Sequence, residues 1–341
     1  MMMRRASSSS LIVTTFEAAS TYHLQSGQKN KGRRSSSVAL LDESEEGSFS
    51  LTFEARMDSK PVMVKLLKYD HEFIDEHATE LFSQEVDLIL DNPSPSPHII
   101  NVISRGPILK FSASPSFIVM EKLTETLSDR LARIRANSRG GILGALSWKK
   151  SQPTDKAWES SLKARLATIL QIATALAHCH TLLSPSSCVV HRDVNPSNIG
   201  FRADGSAVLF DFNNAKLIKN YDATKEELPR EMTGDVGNLR YQSPEMTCHN
   251  PTGSATDVYS FAILAWEIAS MQVPYGESLS TNEYLLRVVE GGDRPVLSEK
   301  VSWPSPFRNL LSDCFAENQD ERPHMVTITE ALTLIVDNFK E

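Results

Sequence analysis

The sequence predicts an α+β chain in two lobes. A small β-rich lobe with one key helix spans residues 38–122, and a larger, mainly helical lobe spans 123–341. Two observations carry this. In the first stretch, apolar and β-favouring residues form short runs separated by turn residues, as strands and hairpins require. Beyond Leu123, apolar residues recur every three to four positions, the spacing of buried helix faces. The 341 residues are 40% hydrophobic and 23% charged, ordinary globular composition with ample length to bury a core.

Residues 1–37 stand apart, with six basic residues, one acidic residue (Glu17), nine serines and a single short apolar run at Leu11–Val13. A segment with so little to bury is expected to be disordered. Its basic, Ser-rich, acid-poor character also suits an organelle transit peptide. In the first lobe, Phe49–Arg56 and Pro61–Leu67 flank Met57-Asp58-Ser59-Lys60 and read as a hairpin. Phe82, Val86, Ile89 and Leu90 have helical spacing, and the prolines of Asn92–Pro97 end that helix. Phe117–Met120 reads as a further strand.

In the second lobe, Leu162–His180, Val258–Ala269, Leu310–Phe315 and Val326–Phe339 read as helices. Val258–Ala269 is apolar nearly all round, so it is expected to be buried. Arg135–Ser161, rich in Gly, Ser and Lys, reads as a surface insertion.

Composition excludes several classes. A formal net charge of −8 argues against a nucleic-acid binder, which needs a basic face. The longest apolar run, Tyr259–Ala269, is interrupted by Glu267, so no membrane span is expected. Four cysteines in a chain this long do not make a disulfide scaffold, which points to a reducing, cytoplasmic location.

The residues richest in chemistry are His191-Arg192-Asp193-Val194-Asn195-Pro196-Ser197-Asn198, followed 13 residues later by Asp211-Phe212-Asn213. Between them lie Ile199–Phe201, a turn at Asp204-Gly205, and Ala207–Phe210. Such a hairpin brings Asp193, Asn198 and Asp211 to one edge. Two carboxylates and an amide there can hold a hard cation and leave a carboxylate to accept a proton. A competing cluster, His178, Cys179, His180, Cys188 and His191, has the residue types of a zinc site. His178 and His180 are two positions apart and so face different sides of a helix, which argues against zinc.

This segment resembles the catalytic loop and metal-binding motif of the eukaryotic protein kinases, and that family's other motifs follow in register. Val62-Met63-Val64-Lys65 resembles the strand carrying the phosphate-contacting Lys, and Glu85 resembles its helix partner. Met120-Glu121-Lys122-Leu123 resembles the hinge, with Met120 at the gatekeeper position. Ser243-Pro244-Glu245 resembles the Ala-Pro-Glu motif, Asp257–Phe261 the buried helix that supports the catalytic loop, and Arg322 the partner of Glu245. Met232–Tyr241, Asp257–Phe261 and Cys314-Phe315 are similar to the tyrosine-kinase-like group, whose members mostly phosphorylate Ser and Thr.

The resemblance covers residues 38–341 and implies a bilobal kinase fold. It further implies transfer of the γ-phosphate of ATP to Ser/Thr hydroxyls of protein substrates in intracellular signalling. It assigns roles residue by residue. Lys65, oriented by Glu85, would hold the α/β-phosphates. Gly47, Phe49, Met120, Glu121 and Leu123 would surround the nucleotide. Asn198 and Asp211 would coordinate Mg²⁺, with Mn²⁺ as a substitute, and Asp193 would orient and deprotonate the acceptor hydroxyl. Arg192 implies pairing with an activation-loop phosphate placed by an upstream kinase, at Thr233 first or at Thr224.

The pattern also breaks. Of the glycine loop only Gly47 remains, with Glu45 and Ser50 at the other glycine positions. Asn213 stands for the glycine of Asp-Phe-Gly, and as an Asn it is suited to a left-handed conformation. Asn195 replaces the usual Lys, and Asn238 replaces a Thr or Ser whose side chain meets that Lys around the catalytic Asp. The two Asn substitutions read as one coupled change, an amide pair for an ammonium–hydroxyl pair. Two functions therefore stand open. An active kinase is favoured by Lys65, Glu85, Asp193, Asn198 and Asp211. A pseudokinase, a scaffold or allosteric partner, is favoured by Glu45, Ser50, Asn195, Asn213 and Asn238.

Overall fold

The computed structural model describes residues 21–23, 37–46, 50–67, seven helical positions between 79 and 88, 96–106, 117–138, 153–181, 187–219, 237–250, 252–296 and 303–340. The chain divides into two compact units, Met1–Asn92 with Ile100–Lys122, and Pro93–Ile99 with Leu123–Glu341.

The first unit is built on an antiparallel sheet of six strands in the order β1-β2-β3-β4-β6-β5. The strands are β1 (Thr21–His23), β2 (Ser37–Glu46), β3 (Ser50–Met57), β4 (Lys60–Leu67), β5 (Val102–Gly106) and β6 (Phe117–Glu121). The β3–β4 hairpin closes on Asp58 and Ser59, both left-handed at φ 49° and 68°. Two positive-φ residues match the twist of the flanking strands, and Asp tolerates that conformation.

β1 corrects an expectation. It lies inside the segment read as disordered and pairs Thr21 with Ala39 and His23 with Ser37. An edge strand is held by main-chain bonds to its neighbour, so it needs no apolar period of its own.

Side-chain alternation on β4 sets up the site. Val62, Val64 and Leu66 pack with Ala55, Phe117 and Val119 on one face. Lys65 and Leu67 point the other way, where Leu67 packs with Phe82, Val102 and Ile118. Phe82 and Glu85, three apart on helical backbone, share one helix face. The helix turn that buries Phe82 therefore also presents Glu85.

The second unit contains β7 (Glu125–Thr126), α1 (Leu127–Ser138), α2 (Pro153–Ser160), α3 (Leu162–Thr181), β8 (Ser187–Val190), β9 (Ile199–Phe201), β10 (Ala207–Leu209) and β11 (Lys216–Lys219). It continues with α4 (Pro244–Thr247), α5 (Ala255–Ser270), α6 (Ser305–Cys314) and α7 (Met325–Asn338). α5 is buried along its whole length, as its all-round apolar pattern demands. β10, β9 and β7 form one small sheet, and β11 pairs with β8 in another.

Two further expectations are corrected here. Residues 96–99, placed in the first lobe by sequence, join the second unit. His98 O accepts from Leu209 N at 2.8 Å, and Ile99 bridges Leu209. The stretch 135–161 is no simple surface insertion, because its described ends are helices that pack inward. Trp158 is buried, its Nε1 donates to Thr168 Oγ1 at 3.0 Å, and Arg130 lies over its ring. Arg135 donates to Glu267 Oε1 at 2.6 Å and to Met271 O at 2.9 Å. Two anchoring side chains set in polar sequence leave no periodic signal. Among the described residues, no helix is long and apolar enough to cross a membrane.

Candidate active site

In the first unit, Lys65 Nζ donates to both oxygens of Glu85, at 3.0 and 2.9 Å. The two side chains are 7% and 2% exposed. Removing one partner from such a pair strands a buried charge, so each residue holds the other in place. Met120 packs against the cluster containing Leu67 and Phe82. The Glu121 carboxylate accepts from Asn101 N at 2.9 Å, which fixes the end of β6. Ser50 is buried at the start of β3. Gly47 and Phe49 lie outside the described residues.

In the second unit, the loop between β8 and β9 is held by Asp257 of α5. Asp257 Oδ2 accepts from His191 N at 2.8 Å and from His180 Nε2 at 2.9 Å, and Oδ1 accepts from Arg192 N at 2.8 Å. Burial would push this carboxyl up. The His180 hydrogen bond, the charges of His180 and His191, and the His191 N–H together hold it below its ordinary value. Arg192 is thereby fixed in a left-handed conformation, φ 67°. The His191 ring sits edge-on to Phe212, centroids 4.7 Å apart, so the loop is also tied to the segment that carries Asp211.

The Asp193 carboxylate sits at the centre. Its Oδ1 accepts from Asn195 Nδ2 at 2.7 Å and from Asn238 N at 3.1 Å. Its Oδ2 accepts from Asn198 Nδ2 at 2.9 Å and from Asn214 Nδ2 at 3.4 Å. Asn198 Nδ2 also donates to Asp193 O at 2.8 Å, so this amide nitrogen is committed to Asp193 and its oxygen faces elsewhere. The β9–β10 pairing, with Phe210 N donating to Asn198 O at 3.0 Å, brings the residue before Asp211 against Asn198. Leu123 packs on β9, where a Cβ on Gly200 would run into Leu123 Cδ1.

The reading of Asn213 is corrected. The left-handed residue in its segment is Asp211, at φ 63°, while Asn213 is not among the positive-φ residues. The chain turns two residues before the expected glycine position, and Asn there costs no backbone strain.

The coupled amide pair is corrected too. Asn195 Oδ1 accepts from Ser197 N and Asn238 Oδ1 accepts from Arg240 N, so each side chain caps its own turn. They converge on Asp193 Oδ1, but Asn238 does so through its main chain. Gly237 permits this approach. It sits at φ +90°, and a Cβ there would lie 2.9 Å from Asp193 Oδ1. Because Asn195 already donates to the carboxylate, Asn195→Lys adds a charge without adding a contact. For the phosphotransfer proposed below, the expected result is a rise of about tenfold in rate, less than the ~10²–10³ worth of a whole catalytic donor. A lower rate in steady-state kinetics would show that the Asn195 cap matters more than the charge.

Sequence reasoning missed Asn214 and Gly237. Gly237, just before Asn238, carried a usable signal as a glycine at the foot of a motif. Asn214 carried none. Away from the centre, the Glu245–Arg322 pair forms as expected, with bonds of 2.7 and 2.9 Å. The zinc-like cluster is dominated by buried thiols, with burial pushing Cys179 and Cys188 up, followed by the Asp257 charge. Thr224 and Thr233 lie outside the described residues.

These features meet a clear match among known proteins. Residues 39–332 match the family described as protein tyrosine and serine/threonine kinase. A mitogen-activated protein kinase kinase kinase 7-like protein of Drosophila melanogaster is 29% identical over 52% of this chain and 43% of its own. The serine/threonine/tyrosine-protein kinase HT1 of Arabidopsis thaliana is 27% identical over 53% of this chain and 42% of its own. Ephrin type-A receptor 1 of Homo sapiens is 31% identical over 44% of this chain and 14% of its own. The matches thus span less than half the length of these relatives, which are consistent with a tyrosine-kinase-like Ser/Thr kinase. The family in general uses ATP, a divalent metal and protein substrates. The chain belongs to the protein tyrosine and serine/threonine kinase family.

Proposed function

We propose that the chain is an ATP-dependent protein kinase that phosphorylates Ser or Thr hydroxyls of protein substrates. The observation that carries this reading is the Asp193 carboxylate, oriented by amide donors on both oxygens. Lys65, held by Glu85, binds phosphate oxygens. Asn198, with its nitrogen on Asp193, offers an amide oxygen, and Asp211 offers a carboxylate. These are hard oxygen donors of the kind Mg²⁺ takes. The bound ion supplies neutralisation of phosphate charge. Asp193 orients the acceptor hydroxyl and receives its proton at a carboxylate oxygen. Met120, Glu121 and Leu123, with Gly47 and Phe49, are the residues to which we assign the nucleotide. Four free cysteines suit a reducing cytoplasm. Arg192, next to the base, suits control by an upstream kinase acting at Thr233 or Thr224.

The second reading, a pseudokinase, is favoured by the donors on Asp193. Asn195 supplies a neutral amide where the family places an ammonium. The test is transfer of labelled phosphate from Mg-ATP, to the protein itself and to a basic acceptor, with Asp193→Asn as control. That variant keeps the shape and removes the base. A loss of about 10²–10⁴ in rate is expected. No label from folded wild-type protein, with Mg²⁺ or Mn²⁺, would establish the second reading instead.

A further inference from the structure

Asp193 offers two oxygens with about four acceptor positions, and four donors fill them. They are Asn195 Nδ2 at 2.7 Å, Asn198 Nδ2 at 2.9 Å, Asn238 N at 3.1 Å and Asn214 Nδ2 at 3.4 Å. An incoming hydroxyl therefore cannot simply add to this carboxylate. It has to displace a donor.

The four are not equally displaceable. Asn195 is buried and its oxygen is tied to Ser197 N at 2.8 Å. Asn198 is buried and holds Asp193 twice, at Oδ2 and at the main-chain oxygen. The Asn238 donor is main chain, pressed against Asp193 by a glycine that has no room for a Cβ. Asn214 is half-buried and holds Oδ2 with the longest of the four bonds. At 3.4 Å it lies beyond the usual N–H···O range, whereas a hydroxyl on a carboxylate closes to about 2.5–2.7 Å.

We infer that Asn214 is a placeholder on the Asp193 carboxylate: it occupies the acceptor position that the substrate hydroxyl takes, and so sets the affinity for the acceptor. It is a positioning residue, acting through Asp193. It stands three residues after Asp211, so the contact also ties the metal-binding segment to the base. The inference rests on the phosphotransfer reading above.

Asn214→Ala and Asn214→Ser test it, the second because it keeps a polar side chain that is too short to reach. Steady-state kinetics would be measured against a basic Ser/Thr-containing acceptor peptide and against Mg-ATP, with melting temperature as a check on folding. Freed of the placeholder, both variants are expected to show a peptide KM lower by about threefold to tenfold, the worth of one weak hydrogen bond. The KM for ATP should stay within about twofold. A merely structural role would instead move both KM values or kcat. An active wild type with an unchanged peptide KM in both variants would overturn the inference and leave the kinase reading standing. Inactivity in all three folded proteins would sink the phosphotransfer reading and the inference together.

Discussion

Replacing Arg322 with alanine is expected to cost about 3–5 kcal/mol of unfolding free energy, the range for breaking a buried ion pair. The guanidinium has five N–H donors, and five acceptors meet them. Glu245 Oε1 and Oε2 accept at 2.7 and 2.9 Å, Ala316 O at 2.9 Å, Ala255 O at 3.0 Å and Glu317 O at 3.4 Å. The group also lies 5.1 Å from the Tyr259 ring centroid. One side chain therefore joins α4, the start of α5 and the loop after α6. Its removal leaves the Glu245 carboxylate, 9% exposed, without its charge partner. At about 2–4 °C per kcal/mol for a domain of this size, melting should fall by at least about 6 °C. The double variant Glu245→Leu/Arg322→Met should recover part of the loss, because an apolar pair strands no charge. A loss under about 1 kcal/mol for Arg322→Ala in urea unfolding would mean the pair is satisfied by water.

The same pair shows what was legible in the sequence. Glu245 and Arg322 lie 77 positions apart, and nothing in local periodicity joins them. Motif register does, as it does for Lys65 and Glu85, 20 apart. Periodicity reported faces: the alternation on β4 and the all-round apolar run of α5 both became buried surfaces. It was silent where a single side chain or a single dihedral decides. Trp158 packs from an otherwise polar helix. Asp211, and not Asn213, takes the positive φ, because the turn is set by the pairing of β9 with β10 and by Phe212 packing on His191. β1 is an edge strand with no apolar pattern to read. Asn214 reaches Asp193 only because the chain folds back, and an Asn next to an Asn carries no mark of that.

Asp257→Asn is expected to cost about 3 kcal/mol or more and to disable the proposed phosphotransfer along with it. The carboxylate is wholly buried and accepts three hydrogen bonds with two oxygens. An amide has one oxygen. Whichever way it is turned, its NH₂ meets a main-chain N–H of His191 or Arg192, two donors face to face, and His180 loses its charged partner. Arg192 then has nothing to hold its left-handed conformation, which costs on the order of 1–3 kcal/mol to maintain. It relaxes, and Asp193, the next residue, moves with it. The pH dependence follows from the depressed Asp257 value. A carboxyl whose folded value lies below its unfolded value of about 3.9 stabilises the fold above that pH, and loses its contribution as pH falls through the folded value. Wild-type stability should therefore decline below about pH 4 more steeply than that of Asp257→Asn. Parallel curves would place the acid sensitivity on other carboxylates. The comparison with Asp193→Asn separates two causes of inactivity. Both variants should stop the proposed transfer, but Asp257→Asn should lower the melting temperature further, because Asp193 is half-buried and water can meet the donors its amide would strand, whereas Asp257 is the wholly buried post on which the loop stands.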